Sequence, residues 1–126
     1  MKAFWLPSTL LILLVAACLS AGSILRSWTT QWNAQLDLAL RYAQLEQWDE
    51  AERISTAVYN DWQDRQAFLR TVLEHAELDT ADSLLQTALT LAEIEDAAEF
   101  CIHIRQTQVQ LGLLQAMQEV SLQNLF

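Results

Sequence analysis

With 126 residues, the chain can form one small domain at most, and part of that length is an apolar amino-terminal segment. Seven basic and sixteen acidic residues give a net charge of −9, which disfavours nucleic acids and anionic lipid headgroups as partners of the domain. A basic protein or a divalent cation suits this charge better, although an acidic surface also keeps a small domain soluble. Two cysteines, Cys18 and Cys101, are too few and too far apart for a disulfide framework.

The amino-terminal segment has the length of a membrane span. No charged residue occurs from Phe4 to Leu25, and about 20 apolar residues are enough for a helix to cross the ~30 Å hydrocarbon core of a bilayer. Trp5 and Trp28 lie at the two ends of this run, where aromatic rings favour the membrane interface. We predict a transmembrane anchor over residues 1–27 that contacts membrane lipid, followed by a helical domain over residues 28–126.

Two processing events are alternatives to an uncleaved anchor. Residues 15–18, Val-Ala-Ala-Cys, resemble the lipobox of bacterial lipoproteins, in which Cys18 would be acylated. The second alternative is cleavage by a signal peptidase after Ala21. We favour the uncleaved anchor over both, because the apolar run continues through Leu19, Ile24 and Leu25. Basic residues on the two sides of the run nearly balance, and we predict an extracytoplasmic domain on a single-pass protein of the cell membrane.

The residues after the anchor predict an all-α domain. Past Arg26 the chain contains one glycine, Gly112, and no proline, so strands and tight hairpins have little turn chemistry available. The first helix is predicted to continue from the anchor to about Leu45, since apolar residues recur at helical spacing. These residues are Trp28, Trp32, Leu36, Leu40 and Ala43.

A turn between two helices is predicted from Tyr42 to Ala51. This stretch resembles the turn of a tetratricopeptide hairpin, with Glu46 at a position where that motif prefers glycine and acidic residues at the start of the second helix. The second helix is predicted to run without a break to Ala76, because a largely apolar series of positions keeps a spacing of three and four. These positions are Ala51, Ile54, Val58, Trp62, Arg65, Leu69, Val72 and Ala76.

Two further helices complete the predicted bundle. Asp79 or Thr80 is predicted to cap the third helix, with Asp82 in its first turn, and the fourth helix is predicted to extend through Leu114. Residues 94–97 echo residues 48–51, which we attribute to helix-start chemistry and not to a repeat. The predicted fold class is therefore all-α: a transmembrane helix, then an antiparallel bundle of about four helices arranged as two helical hairpins.

One cluster of side chains has ligand chemistry. His75, Glu77 and Asp79 lie close in sequence, and His75 and Asp79 would share one face of a continuous helix, a spacing that can hold a divalent cation. Two or three ligands do not complete a metal site, and helix capping is the simpler explanation, so we predict neither a metal nor a cofactor. His103 has no nucleophile beside it in sequence and Cys101 has the character of a core residue, so we predict no catalytic residue and no enzyme activity.

The motifs resemble those of a family of small membrane-anchored helical proteins found mainly in Bacillota and known only as a domain of unknown function. The shared features are a basic start, one apolar span, a tryptophan-acid-alanine motif, a second tryptophan, a His-x-Glu-aliphatic-Asp signature and a Ser-Leu-x-Asn-aliphatic tail. In this chain they are matched by Trp48, Asp49, Glu50, Ala51, Trp62, His75, Glu77, Leu78, Asp79, Ser121, Leu122, Asn124, Leu125 and Phe126. The resemblance implies location and architecture but no activity.

These observations favour a noncatalytic protein that binds another membrane protein, as an interaction module or accessory subunit on the extracytoplasmic surface. The candidate interaction residues are Trp48, Trp62, His75, Glu77 and Asp79. The alternative is a domain that senses a ligand or a divalent cation through His75, Glu77 and Asp79. The sequence leaves the oligomeric state open.

Overall fold

Five helices make up the chain in a computed structural model, which describes the backbone of residues 2–125 and the side chains of residues 5–120, Gln123 and Asn124. The helices are α1 (Lys2–Gln44), α2 (Trp48–Asp64), α3 (Gln66–Val72), α4 (His75–Glu93) and α5 (Ala97–Leu125). α1 packs on α2 and α5, and α4 packs on the same two helices, so the four long helices form a closed antiparallel ring. The predicted all-α fold with two helical hairpins is confirmed, and the short helix α3 is an addition to it.

The core of the bundle is built from one apolar stripe on each long helix. Trp32 of α1, Trp62 of α2 and Phe100 of α5 are its largest fully buried side chains. The rings of Trp32 and Trp62 meet edge to face with their centroids 5.6 Å apart, a favoured geometry for aromatic pairs. Each indole N–H in this core donates to a carboxylate of the next helix, Trp32 to Asp61 and Trp62 to Asp82.

The prediction of one unbroken second helix to Ala76 is wrong. The chain turns at Arg65, where α2 ends and α3 begins, and it becomes extended at Leu73 before α4 starts. The three-four spacing continues through the first break because α3 still buries Leu69 against the core. Phe68 packs edge to face on Trp28, so α3 lies across the end of the bundle at which α1 enters it.

The predicted start of the third helix at Asp79 or Thr80 is also wrong. α4 begins at His75, and the preceding Glu74 makes no capping hydrogen bond through its side chain. Thr80 lies in the second turn and donates its hydroxyl to the carbonyl oxygen of Ala76, a bond that competes with any capping role. Asp82 lies two turns into α4, where it accepts the indole N–H of Trp62 at 3.2 Å.

The turns that join α1 to α2 and α4 to α5 have the same backbone geometry. Glu46 and Glu95, which are 49 residues apart, both adopt the left-handed conformation, with φ values of 60° and 58°. Every backbone hydrogen bond of the first turn recurs 49 residues later: Glu46 to Ala43 and Glu95 to Ala92, Gln47 to Tyr42 and Asp96 to Leu91. The two turns therefore repeat in structure, and Trp48 corresponds to Ala97 and not to Ile94. Asp96 additionally caps α5 by accepting the backbone N–H of Glu99 at 3.2 Å.

α1 continues without a break from its apolar amino-terminal part into the bundle, as predicted. Before Leu25 its large side chains are exposed: Trp5 is 76% exposed, Leu10 70% and Ile12 67%. By length and composition this helix is sufficient to cross a membrane. The predicted domain boundary between residues 27 and 28 lies inside α1. α5 continues as a helix through the predicted tail, but the side chains of Ser121, Leu122, Leu125 and Phe126 lie outside the described part.

Candidate interaction surface

The His-x-Glu-aliphatic-Asp signature occupies the first turns of α4. The side chain of His75 is exposed, whereas Leu78 is buried in the core. Glu77 accepts two hydrogen bonds from the amide of Gln110 on α5, one at its carbonyl oxygen (3.0 Å) and one at its carboxylate (2.8 Å). Asp79 lies on the other side, with its carboxylate 3.9 Å from the guanidinium of Arg70 on α3. Through Glu77 and Asp79, the signature therefore connects the start of α4 to α5 and to α3.

The three polar residues of the signature do not converge on one point. His75 and Asp79 share a face of α4, as the spacing predicts, but Glu77 faces α5 and is engaged by Gln110. Among the described side chains, no group of three or more histidines, cysteines, aspartates or glutamates is arranged to hold a metal ion. A cation at this place would have to compete with the hydrogen bond and the ion pair that already hold Glu77 and Asp79.

The two candidate tryptophans differ in their surroundings. Trp62 is fully buried and its indole N–H is satisfied by Asp82, so its ring belongs to the core and not to the surface. Trp48 is partly buried and packs edge to face on Phe100, with ring centroids 5.6 Å apart. Trp48 is the first residue of α2, and Phe100 lies in the first turn of α5. This contact therefore joins the starts of the second helices of the two hairpins.

α5 is apolar on two opposite faces. Its core face lies between α1 and α4, and the buried positions alternate in steps of four and three residues: Phe100, Ile104, Thr107, Leu111, Leu114 and Gln118. Two residues further along, a second set with the same steps lies on the opposite side of the helix, since two residues rotate by about 200°. We call this second set the outer stripe: Ile102, Gln106, Val109, Leu113, Ala116 and Val120, all of them exposed.

The outer stripe differs from the rest of the bundle surface. Val109 is 73% exposed, Val120 54%, Ile102 48% and Leu113 44%. The other large apolar side chains exposed in the described bundle are Leu38, Leu45 and Ile94, which stand singly. A helix that is apolar all round is ordinarily buried all round. Among the described side chains, none packs over the outer stripe, which is therefore an unpartnered apolar face.

The lower end of the stripe borders a groove at the end of the bundle where α1 enters. Leu113, Ala116 and Val120 form one wall of this groove, and Val72 and Leu73 from the segment between α3 and α4 form the other. The groove has a volume of about 390 Å³. It widens the apolar surface of the stripe at its lower end.

Charged residues flank the stripe but are already paired within the chain. Arg105 donates to Asp37 of α1 at 3.1 Å, and Glu119 accepts from Arg26 of α1 at 3.0 Å. The hydrogen bond from Arg26, followed by one from Gln115, lowers the pKa of the Glu119 carboxyl below its ordinary value. These pairs hold the two edges of α5 on α1 and leave the stripe itself free of charge.

The outer stripe was not predicted from the sequence, in which the fourth helix was followed only as far as Leu114 and one polar side was expected for it. The signal was present in the sequence all the same. Ile102, Val109 and Val120 follow the spacing of a second apolar face, whereas an ordinary surface helix has a polar face there.

Fold and surface together define a small protein of two helical hairpins with a long apolar amino-terminal helix. Residues 21–125 match the family model described as a domain of unknown function (DUF4363). The chain belongs to this family, and the predicted membership of an uncharacterised family is confirmed. Comparison with curated proteins and with solved structures found no match. The bacterial group and the likeness of the first turn to a tetratricopeptide hairpin stay predictions.

Proposed function

We propose that this protein is a noncatalytic, single-pass membrane protein whose helical bundle binds another protein at the extracytoplasmic membrane surface through the outer stripe of α5. The observation that carries this proposal is that two separate apolar surfaces, neither of them covered by the described residues, lie on one rigid helical bundle. The first is the amino-terminal part of α1 and the second is the outer stripe. Each is costly to leave in water, at about 25 cal/mol for every Å² of apolar surface.

The exposed part of α1 supports the membrane anchor. Its large apolar side chains are exposed along residues 5–19, whereas the helix of a soluble core buries such residues. Because α1 is continuous from this part to Gln44, the bundle has no flexible linker and stays close to the bilayer. The unbroken helix therefore fixes the height of α5 above the membrane.

The outer stripe supports protein binding. An apolar stripe along a helix is the surface that a second helix recognises, through residues spaced by three and four. Most of the stripe lies away from the anchor, since Ile102 is about 27 Å along α5 from Val120 at a rise of 1.5 Å per residue. A bilayer in contact with the lower end of the bundle would not reach this far, so a protein suits the whole stripe better than lipid does.

Photo-crosslinking in intact cells tests this function. A photoreactive benzophenone amino acid placed at position 109 is expected to form an adduct with another protein chain. The matched position is 38, because Leu38 is also an exposed apolar residue of the bundle but lies outside the stripe. Absence of any adduct from position 109 beyond the level seen at position 38 would contradict the proposed binding surface.

A further inference from the structure

We infer that the partner of the outer stripe is a second copy of this chain, with the two α5 helices packed in parallel about a two-fold axis perpendicular to the membrane. This inference rests on the proposed function, since the anchor sets the orientation of both copies. It names the partner that the apolar stripe binds, and it makes the protein a homodimer in the membrane.

The spacing of the stripe matches that of a helix-helix seam. Its six residues are spaced alternately four and three positions apart. This is the spacing of the a and d positions of a coiled coil over about two and a half heptads. A seam of this kind is complementary to a parallel copy of itself, because each residue meets its own counterpart across the axis. Gln106 would then face Gln106 of the second copy, and a single polar pair in an apolar seam fixes the register of the two helices.

The charge distribution permits a partner of the same overall sign at this surface. The chain carries a net charge of −9, so two copies repel one another wherever acidic surfaces meet. The outer stripe contains no charged residue, and the flanking Arg105 and Glu119 are paired with Asp37 and Arg26 of their own chain. Two copies can therefore approach along the stripe with less repulsion than at the acidic turns around Glu46 and Glu95.

The size of the stripe explains why the membrane is needed. At about 27 Å in length and about 10 Å in width, it offers on the order of 300 Å² per copy. A stable interface between soluble proteins buries about 800 Å² per partner, so the stripe by itself falls short. Confinement of both copies to one membrane in the same orientation raises their effective concentration and lowers the affinity that the seam must supply. The dimer is accordingly a property of the anchored protein and dissociates on dilution in detergent.

Disulfide cross-linking in native membranes tests the inference. The full chain with Cys18→Ala and Cys101→Ala receives a single cysteine, either Leu113→Cys in the stripe or Leu38→Cys outside it. The two leucines are a matched pair, being 44% and 43% exposed. With copper-phenanthroline as oxidant, Leu113→Cys is expected to give a reducible product of twice the chain mass, and Leu38→Cys is expected to stay monomeric.

A charge substitution adds a second measurement. Gln106→Glu places two like charges across the seam, and we expect it to lower the yield of the Leu113→Cys dimer about fivefold, the effect of one like-charge contact in water. Gln31→Glu adds the same charge at an exposed position of α1 and is expected to leave the yield unchanged. Gln106 is exposed, so this substitution does not disturb the core.

Each other outcome overturns the inference. Equal cross-linking at positions 38 and 113 would mean random collision, and no product at position 113 would mean that copies do not meet at the stripe. A product of another mass at position 113, together with an adduct of another protein at position 109, would leave the proposed function standing and replace the second copy by a different partner. Absence of both products would remove the binding surface and the homodimer together.

Discussion

Arg26 of α1 donates a hydrogen bond of 3.0 Å to Glu119 of α5, and this contact holds the last turns of α5 beside the apolar part of α1. The two helices run antiparallel, so residues after Glu119 lie at the level of residues before Arg26. The lower end of the bundle is therefore fixed to the helix that we propose as the anchor.

Glu119 is expected to contribute stability that depends on pH. Its pKa is lowered in the folded chain by the hydrogen bonds from Arg26 and Gln115, so its contribution is present at neutral pH and is lost as the pH falls through the lowered pKa. The effect is small because the ion pair is exposed to solvent. Thermal unfolding of the full chain in detergent between pH 7 and pH 3 is expected to show a shallower acid-side decline for Glu119→Gln than for wild type. A decline identical to that of wild type would contradict this role.

The indole N–H of Trp32 is expected to stabilise the α1–α2 contact. It donates to a carboxylate oxygen of Asp61 at 2.7 Å, and a hydrogen bond to a charged group contributes about 1.5–3 kcal/mol. Trp32→Phe removes this bond together with part of a buried ring, so it should lower the free energy of unfolding by at least that amount in urea titrations followed by circular dichroism. Trp48→Phe is the control, since Trp48 is only partly buried and its indole makes no hydrogen bond to the described residues. Equal losses for the two variants would argue against the role of the N–H.

Glycine is expected to stabilise both hairpin turns. Glu46 and Glu95 have φ values of 60° and 58°, a conformation that costs a residue with a side chain about 1–2 kcal/mol and costs glycine little. After subtraction of the greater freedom of glycine in the unfolded chain, Glu46→Gly and Glu95→Gly should each raise the free energy of unfolding by about 0.5–1 kcal/mol. Glu46→Gln removes the same charge but keeps a side chain in the left-handed conformation. If Glu46→Gln raised the free energy of unfolding as much as Glu46→Gly does, the gain would be due to the lost charge and not to the backbone.

Gln110 is expected to be the residue of α5 that holds the start of α4. Its amide donates to both the carbonyl oxygen and the carboxylate of Glu77, and it is 9% exposed. Gln110→Leu removes the donor to the partly buried carboxylate of Glu77 and should cost about 1–3 kcal/mol in the same unfolding titration. Glu77→Gln keeps an acceptor at the same place and should cost less than about 1 kcal/mol. A smaller loss for Gln110→Leu than for Glu77→Gln would contradict this assignment.

Much of the fold could be predicted from the sequence because its signals are local. The uncharged run from Phe4 to Leu25 gave the apolar helix, and the lack of glycine and proline after Arg26 gave the all-α bundle. The turn at Glu46 was predicted at the correct place, and its left-handed φ is a conformation that glycine adopts more readily than glutamate.

The missed features depend on contacts between distant residues. The break at Arg65 was hidden because Leu69 keeps the apolar spacing of α2, and the start of α4 was hidden because Glu74 gives no capping signal. The hydrogen bonds from Gln110 to Glu77 could be recognised only in the assembled bundle. The outer stripe has a signal in the sequence, but that signal is distinguished from the core face of α5 most easily once Phe100 and Ile104 are seen to be buried.

Membrane anchoring by α1 is the central claim, and alkaline carbonate extraction of the full chain from cell membranes tests it most directly. We expect the wild-type chain to stay in the membrane pellet. The double variant Leu11→Arg and Leu14→Arg should pass to the soluble fraction, because each arginine near the middle of the span costs about 3 kcal/mol. Leu38→Arg, which places the same charge on the bundle, should stay in the pellet. Release of the wild-type chain into the soluble fraction would contradict the anchor.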